Sequence, residues 1–221
     1  RHVVLIDGKT LGFGGSTRNG GFISESLTHG LSHGEALWPD ELPQLLKFGR
    51  QNFLDIQHFI SQQQIDADLL VLGKTHIATR PHELAELAAL QRLNEKYGET
   101  SSLLNQEEIQ SEIHSPTYLG AVKNVTGGGL VNPAKLLLGL SRVAVELGTE
   151  IYENTTVEAL IDHKDFVTLR MQQGGVKANQ VVLATNAFTP LNNNIRWRVM
   201  PISDHFRQLN WRVLVGRMAK V

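Results

Sequence analysis

The chain has 221 residues, 41% hydrophobic and 19% charged, with 21 Lys and Arg against 22 Asp and Glu. That length buries a core without a metal or disulfide clamp. The lack of cysteine excludes a disulfide framework, a thiolate zinc site and a cysteine nucleophile.

No stretch approaches 18 uninterrupted apolar residues, and no basic leader followed by an apolar run opens the sequence. A soluble, untargeted, cytoplasmic protein without a membrane partner is therefore expected. Six bases (Arg196, Arg198, Arg207, Arg212, Arg217 and Lys220) and one acid (Asp204) fall between Pro190 and Val221. They are spaced through apolar residues rather than clustered, which argues against a nucleic-acid partner.

In chain order, "HVVLID" is short, β-branched and continuously apolar, the pattern of a strand buried on both faces of a parallel sheet. Only Arg1 precedes it, so the chain is expected to be incomplete at its amino end. "GFGGSTRNGGFIS" follows, with five glycines between Gly12 and Gly21. Such a run is either a flexible surface loop or a cradle that lets a ligand approach the backbone closely.

Helical spacing takes over from Glu41. Pro43 suits a first turn, and Leu45, Leu46, Phe53, Ile56, Phe59 and Ile60 recur on one face. A second helix runs from near Pro81 to Gly98, and a third has Asn105 as N-cap with Glu108 three residues on. Together these make a helical insert.

The triple glycine Gly127–Gly129 reads as a turn or bulge where chains approach closely. Next, Asn132 caps a helix with Pro133 at its first position and Leu136, Leu137, Leu140, Val143 and Leu147 on one face, stopped by Gly148. Four strands are then expected: "TEIYE", "TVEALID", "DFVTLRM" and "VKANQVVLAT". The last two are joined as a hairpin through Gln173, Gly174 and Gly175. This order predicts an α/β sheet interrupted by a cap-like excursion.

Asp7, at the end of the first strand, suits two roles. In a doubly wound nucleotide fold an acid there accepts hydrogen bonds from ribose hydroxyls, and elsewhere an Asp–Gly pair simply opens a turn. Gly12 and Gly14 begin a G-x-G-x-x-G spacing, but Thr17 stands at its third glycine. No H-E-x-x-H zinc motif is present. His29 and His33, four apart and flanked by Gly30 and Gly34, read as exposed loop histidines, and no metal site is assigned.

Three stretches carry a resemblance when taken in order: "VVLIDGKTLGFGGSTRNGGFIS", "GGGLVNPAKLLLGLSRVAVELGTEIYENTTVEAL" and "VKANQVVLATNAFTP". They resemble the FAD-dependent amine and amino-acid oxidoreductases of the D-amino-acid oxidase superfamily, nearest its glycine/sarcosine oxidase and gamma-glutamylputrescine oxidoreductase branch. The resemblance implies an α/β chain (α+β overall): a partial Rossmann-like FAD-binding sheet with a β-meander, a helical insert and the start of a substrate domain. The implied division is 1–33 and 121–190 for FAD binding, 34–120 for the insert or cap, and 191–221 for the start of the substrate domain and an atypical tail.

The resemblance also implies roles. Asp7 is the ribose-binding acid. Ser16, Thr17, Arg18, Asn19, Gly20 and Gly21 run beneath the flavin and supply backbone N–H groups and polar side chains to the pyrophosphate and ring edge. An anionic pyrophosphate favours oriented N–H donors and a bidentate cation. Val157 pairs through its backbone with adenine, and Ala184, Thr185 and Asn186 form the turn that passes close to the dinucleotide. Asn186 stands where the family usually has glycine and is suited to the left-handed backbone there.

The resemblance implies non-covalent FAD, because the histidine in the glycine-rich segment or the cysteine through which some relatives tie the flavin has no counterpart in this sequence. The implied reaction removes a hydride from the C–N bond of a small amine or amino-acid substrate and passes electrons to dioxygen or another acceptor. No catalytic acid or base is assigned. The resemblance fades beyond Asp204, so the chain is expected to be incomplete at both ends. The competing expectation is an inactive fragment or remnant, at most a weak nucleotide-binding or interaction module.

Overall fold

In a computed structural model of the chain, residues 2–186 are described. In chain order the first elements are β1 (Val3–Ile6), β2 (Phe22–Ser24), α1 (Leu31–Leu37), α2 (Leu42–Gln62), β3 (Leu70–Val71) and β4 (Lys74–Ala78). Next come α3 (Glu83–Lys96), β5 (Ser101–Leu104), α4 (Gln106–Glu112), β6 (Gly120–Asn124), β7 (Gly128–Leu130) and α5 (Pro133–Glu146). The series ends with β8 (Thr149–Tyr152), β9 (Val157–Asp162), β10 (Val167–Met171) and β11 (Gly174–Ala178). The chain divides into two compact units, one holding the residues up to Gly20 and from Leu140 onward, the other Gly21–Gly139.

In the first unit, β1 pairs in parallel with β8 in the register Val3↔Thr149 through Ile6↔Tyr152. The meander β9–β10–β11 is antiparallel, and among the described residues β9 is an edge strand. Its register with β10 slips between Arg170 and Met171, so that Met171 faces Val157. Among the described residues, Val143 is the only hydrophobic residue of this unit that is buried.

The second unit holds most of the core. Two antiparallel sheets, β2–β7–β3 and β4–β6–β5, alternate with the helices. Helix α2 buries Leu42, Leu46, Gly49, Phe53 and Ile60, the stripe expected of a 3.6-residue period. Leu31, Leu42 and Leu46 pack with Leu93 and Tyr97, while Ala78, Leu87 and Val122 pack with Leu90. Burial of a side chain such as Leu42 or Val122 contributes about 1.5–3 kcal/mol. The capping box of α4 forms as its spacing predicts: Glu108 N–H donates to Asn105 Oδ1 at 3.0 Å and Asn105 N–H to Glu108 Oε2 at 2.7 Å. At α5, Lys135 N–H donates to Asn132 Oδ1 at 3.2 Å.

Several expectations need correction. The segment expected to be a helical insert carries β3, β4 and β5 besides its helices. "KTHIA" and "SSLL" are strands because β6 pairs with both, a partner that neither segment's local pattern reveals. Residues 31–37 form the unexpected short helix α1; His33 lies on it, although His29 and His33 are both exposed as expected. The hairpin turns at Gln172 and Gln173, one residue earlier than expected, and Gly174 and Gly175 belong to β11.

"QVVLAT" is not a strand. No ladder pairs residues 180–185 within the described residues, and Val182 is 88% exposed. Nor is β1 buried on both faces, since Val3 and Leu5 are exposed. The expected start of the substrate domain and the basic tail lie outside the described residues. Among the described residues no helix is long and apolar enough to cross a membrane.

Candidate functional site

The first unit holds the residues singled out above for the cofactor, apart from Gly21. Asp7 N–H donates to the Tyr152 carbonyl at 2.9 Å, extending the β1–β8 ladder by one bond. Its Oδ1 then accepts the Lys9 N–H at 2.9 Å, which is the turn-opening role open to an Asp–Gly pair. The carboxylate's other oxygen makes no hydrogen bond to the described residues.

The turn that follows β8 straps this segment at alternate residues. Thr155 N–H donates to the Asp7 carbonyl at 2.8 Å, and Asn154 N–H to the Lys9 carbonyl at 3.0 Å. Glu153 Oε1 accepts the Leu11 N–H at 2.5 Å. Asn154 reverses the chain here with φ 52°, a left-handed conformation that Asn tolerates well. A Cβ added at Gly8 would lie 3.3 Å from the Thr156 hydroxyl. Sequence reasoning missed this turn, although an acid followed by Asn-Thr-Thr directly after a strand is a turn signal.

Beyond Leu11 the glycine-rich segment folds on itself. Thr17 Oγ1 donates to the Gly12 carbonyl at 2.5 Å, Arg18 N–H to Gly15 at 3.2 Å, and Asn19 Nδ2 to Gly15 and Ser16 at 3.0 and 3.1 Å. Thr17 and Asn19 thus shape the segment, while Ser16 stands exposed. The Arg18 guanidinium lies over the Phe13 ring, 4.8 Å from its centroid.

Gly20 closes the first unit and Gly21 opens the second. Packing explains Gly21: its φ is 70°, its carbonyl accepts the Val131 N–H at 2.8 Å, and an added Cβ would lie 2.1 Å from the Val131 oxygen. Gly21, expected in the cofactor segment, is thus packed against Val131, next to β7.

Val157 opens the edge strand β9, two residues after Thr155, so half of that strand's backbone groups face away from β10. In the downstream turn Ala184 is exposed, and the Thr185 hydroxyl is buried with no hydrogen-bond partner among the described residues. Asn186 adopts φ 49°, the left-handed geometry expected where a glycine is usual. A Cβ at Gly15 would lie 3.9 Å from Asn186 Nδ2. The fold therefore brings Asp7 beside 153–156 and Gly15 beside Asn186, although 140 or more residues separate them in the sequence.

On the β1–β8 ladder His2, Glu150 and Tyr152 are linked, with Tyr152 Oη donating to Glu150 Oε2 at 2.6 Å and His2 Nε2 2.5 Å from Oε1. The Tyr152 hydroxyl, and next the His2 ring, hold the Glu150 carboxyl below its ordinary range, while Glu150 raises the Tyr152 phenol.

Comparison with known proteins extends these observations. Residues 1–211 match the family DAO, described as FAD dependent oxidoreductase, so the match continues past Asp204. The chain is 30% identical over 190 residues to the gamma-glutamylputrescine oxidoreductase of Escherichia coli, covering 84% of this chain and 43% of that protein. It is 22% identical over 212 residues to the probable oxidoreductase OrdL of Haemophilus influenzae, covering 92% and 49%. Among solved structures, the glycine oxidase of Geobacillus kaustophilus superposes with a TM-score of 0.69 at 22% identity, over 84% of this chain and 49% of that one. The chain thus spans about half the length of the curated relatives it matches.

Proposed function

This chain belongs to the DAO family of FAD-dependent oxidoreductases, and on that premise we propose that its protein oxidises the C–N bond of a small amine or amino acid. Bound FAD would accept two electrons from that bond, and dioxygen or another acceptor would take them onward. The residues of this chain serve to bind and orient the cofactor. No acid or base within it is assigned to the reaction, and neither nucleic acid nor membrane is a proposed partner. The proposed location is the cytoplasm.

The observation that carries the proposal is the meeting of the glycine-rich segment with the Thr185–Asn186 turn. There, among the described residues, a buried hydroxyl lacks a partner and Gly14 has no atom within 4 Å of an added Cβ. A buried unpaired hydroxyl is costly, and a polar ligand relieves that cost. Asp7 offers a carboxylate oxygen for ribose hydroxyls, and the outer edge of β9 at Val157 offers backbone groups for a heteroaromatic ring. Ser16, Thr17, Arg18, Asn19 and Gly20 supply the polar segment for the pyrophosphate and ring edge. Gly21 is left out of this set, because packing accounts for it.

Arg18 supplies the only guanidinium of that segment, and it is poised on Phe13. Arg18→Ala in the complete protein is expected to lower FAD retention, whereas His33→Ala, a change in the other unit, is not. Equal retention in both variants overturns the assignment of Arg18. An amine and amino-acid panel with hydrogen peroxide detection tests the reaction class. Purification of the complete protein free of flavin, and unable to take it up, sinks the reading as a whole.

A further inference from the structure

We propose that Glu153 is a positioning residue for the cofactor segment, a role that rests on the FAD reading above. The three ties between the 153–155 turn and the 7–11 segment are not equivalent. Two join backbone to backbone, at Thr155–Asp7 and Asn154–Lys9, and any residue can make them. The third requires a side chain of the right length and chemistry: Glu153 Oε1 reaches the Leu11 N–H at 2.5 Å across 142 positions of sequence.

That bond sits immediately before Gly12. From Gly12 to Arg18 the described hydrogen bonds are all short-range: Phe13 N–H to the Thr10 carbonyl at 3.0 Å, Thr17 to Gly12, and Arg18 to Gly15, with Asn19 Nδ2 reaching back to Gly15 and Ser16. A self-folded loop rich in glycine takes its direction from its last anchored residue, because glycine restricts the backbone less than any other residue. Leu11, which the Thr10–Phe13 bond spans, is the residue there that is tied to the distant 153–155 turn. An ionised acceptor also makes a stronger bond to a backbone N–H than a neutral one. Glu153 and the half-buried Leu11 side chain line the same shallow depression beside Val145 of α5. The depression seats the side chain of Leu11, and the carboxylate orients its amide.

The test uses the complete protein carrying this chain, stripped of flavin, with the variants Glu153→Ala, Glu153→Gln and Glu153→Asp. Glu158→Ala, at an exposed acid on β9, is the control. Two quantities are read: the FAD dissociation constant from fluorescence quenching, and the rate of trypsin cleavage after Lys9 and Arg18, both exposed. Glu153→Ala is expected to weaken FAD binding about tenfold and to speed both cleavages. Glu153→Gln, which keeps an acceptor oxygen at the same reach, restores both to within about threefold of the unsubstituted protein.

Wild-type binding in Glu153→Ala, or loss in Glu153→Gln equal to that in Glu153→Ala, overturns the role. If the alanine variant does not fold, Glu153→Asp decides: it keeps the charge with a shorter reach, and its equality with the unsubstituted protein likewise overturns the role. Failure of the unsubstituted protein to bind FAD refutes the functional reading instead. In that case the cleavage rates still test the anchor.

Discussion

Replacing Gly21 with Ala separates two reasons for a glycine at one position. The residue has φ 70°, and an added Cβ would lie 2.1 Å from the Val131 carbonyl oxygen, far inside contact distance. An L-residue in that left-handed region costs about 1–2 kcal/mol. Forcing an atom against fixed backbone costs about 1–3 kcal/mol more through displaced packing. A loss near the middle of that range, about 3 kcal/mol, lowers a melting temperature by roughly 6–12 °C for a chain of this size. The assay is thermal unfolding of flavin-free Gly21→Ala, so that lost cofactor affinity cannot contribute. Hydrogen exchange at the Val131 amide, which donates to Gly21 at 2.8 Å, gives the local readout. Unchanged melting together with unchanged Val131 exchange refutes the packing account and returns Gly21 to the cofactor set.

Two further outcomes are expected in the second unit. Burial first, and then the neighbouring Glu99, push the half-buried Glu25 carboxyl above its ordinary value of 4.5, against smaller opposing effects of Lys74 and Arg50. The folded state therefore holds this proton to higher pH than the unfolded state does. The stability it contributes is full below pH 4.5 and is lost as pH rises through the raised value. Glu25→Gln should melt higher than the unsubstituted protein at about pH 7. Its advantage should shrink toward acid, and an advantage constant across the pH range contradicts this reasoning. Asn105→Ala removes one half of the capping box and should cost about 1 kcal/mol, visible as faster amide exchange confined to α4. No change in α4 exchange would show that the cap contributes nothing measurable.

Features specified by neighbouring residues were legible in the sequence. Asn105 with Glu108, and Asn132 with Pro133, announce helix starts because donor and acceptor lie within one turn of each other. Strands whose partner is distant were not. β4 and β5 exist because β6 lies between them, whereas "QVVLAT" has strand composition but no partner among the described residues, and composition alone does not make a ladder.

The site divides in the same way. Asp7 and the glycine run stand out locally, and Asn186 adopts the backbone its residue type suits. Gly21 shows why sequence alone is ambiguous there, since a glycine needed for close packing and one needed for a ligand read alike. Glu153 escaped notice because its partner is a main-chain N–H, which no residue type marks.

The register Val3↔Thr149 joins positions 146 residues apart, and this bears on the order in which the chain folds. Closing so long a loop directly is entropically costly and slow. Once Phe22 has paired with Leu130 in the second unit, the effective loop shrinks to roughly 38 residues, which lowers the closure cost by about 1 kcal/mol and speeds closure about sevenfold. β1 is thus favoured to join after the second unit has formed, and the pairing of β1 with β8 is the natural first event of unfolding. The segment proposed to receive FAD hangs from that late-arriving strand, so during biosynthesis the competence to take up cofactor would trail the formation of the larger core.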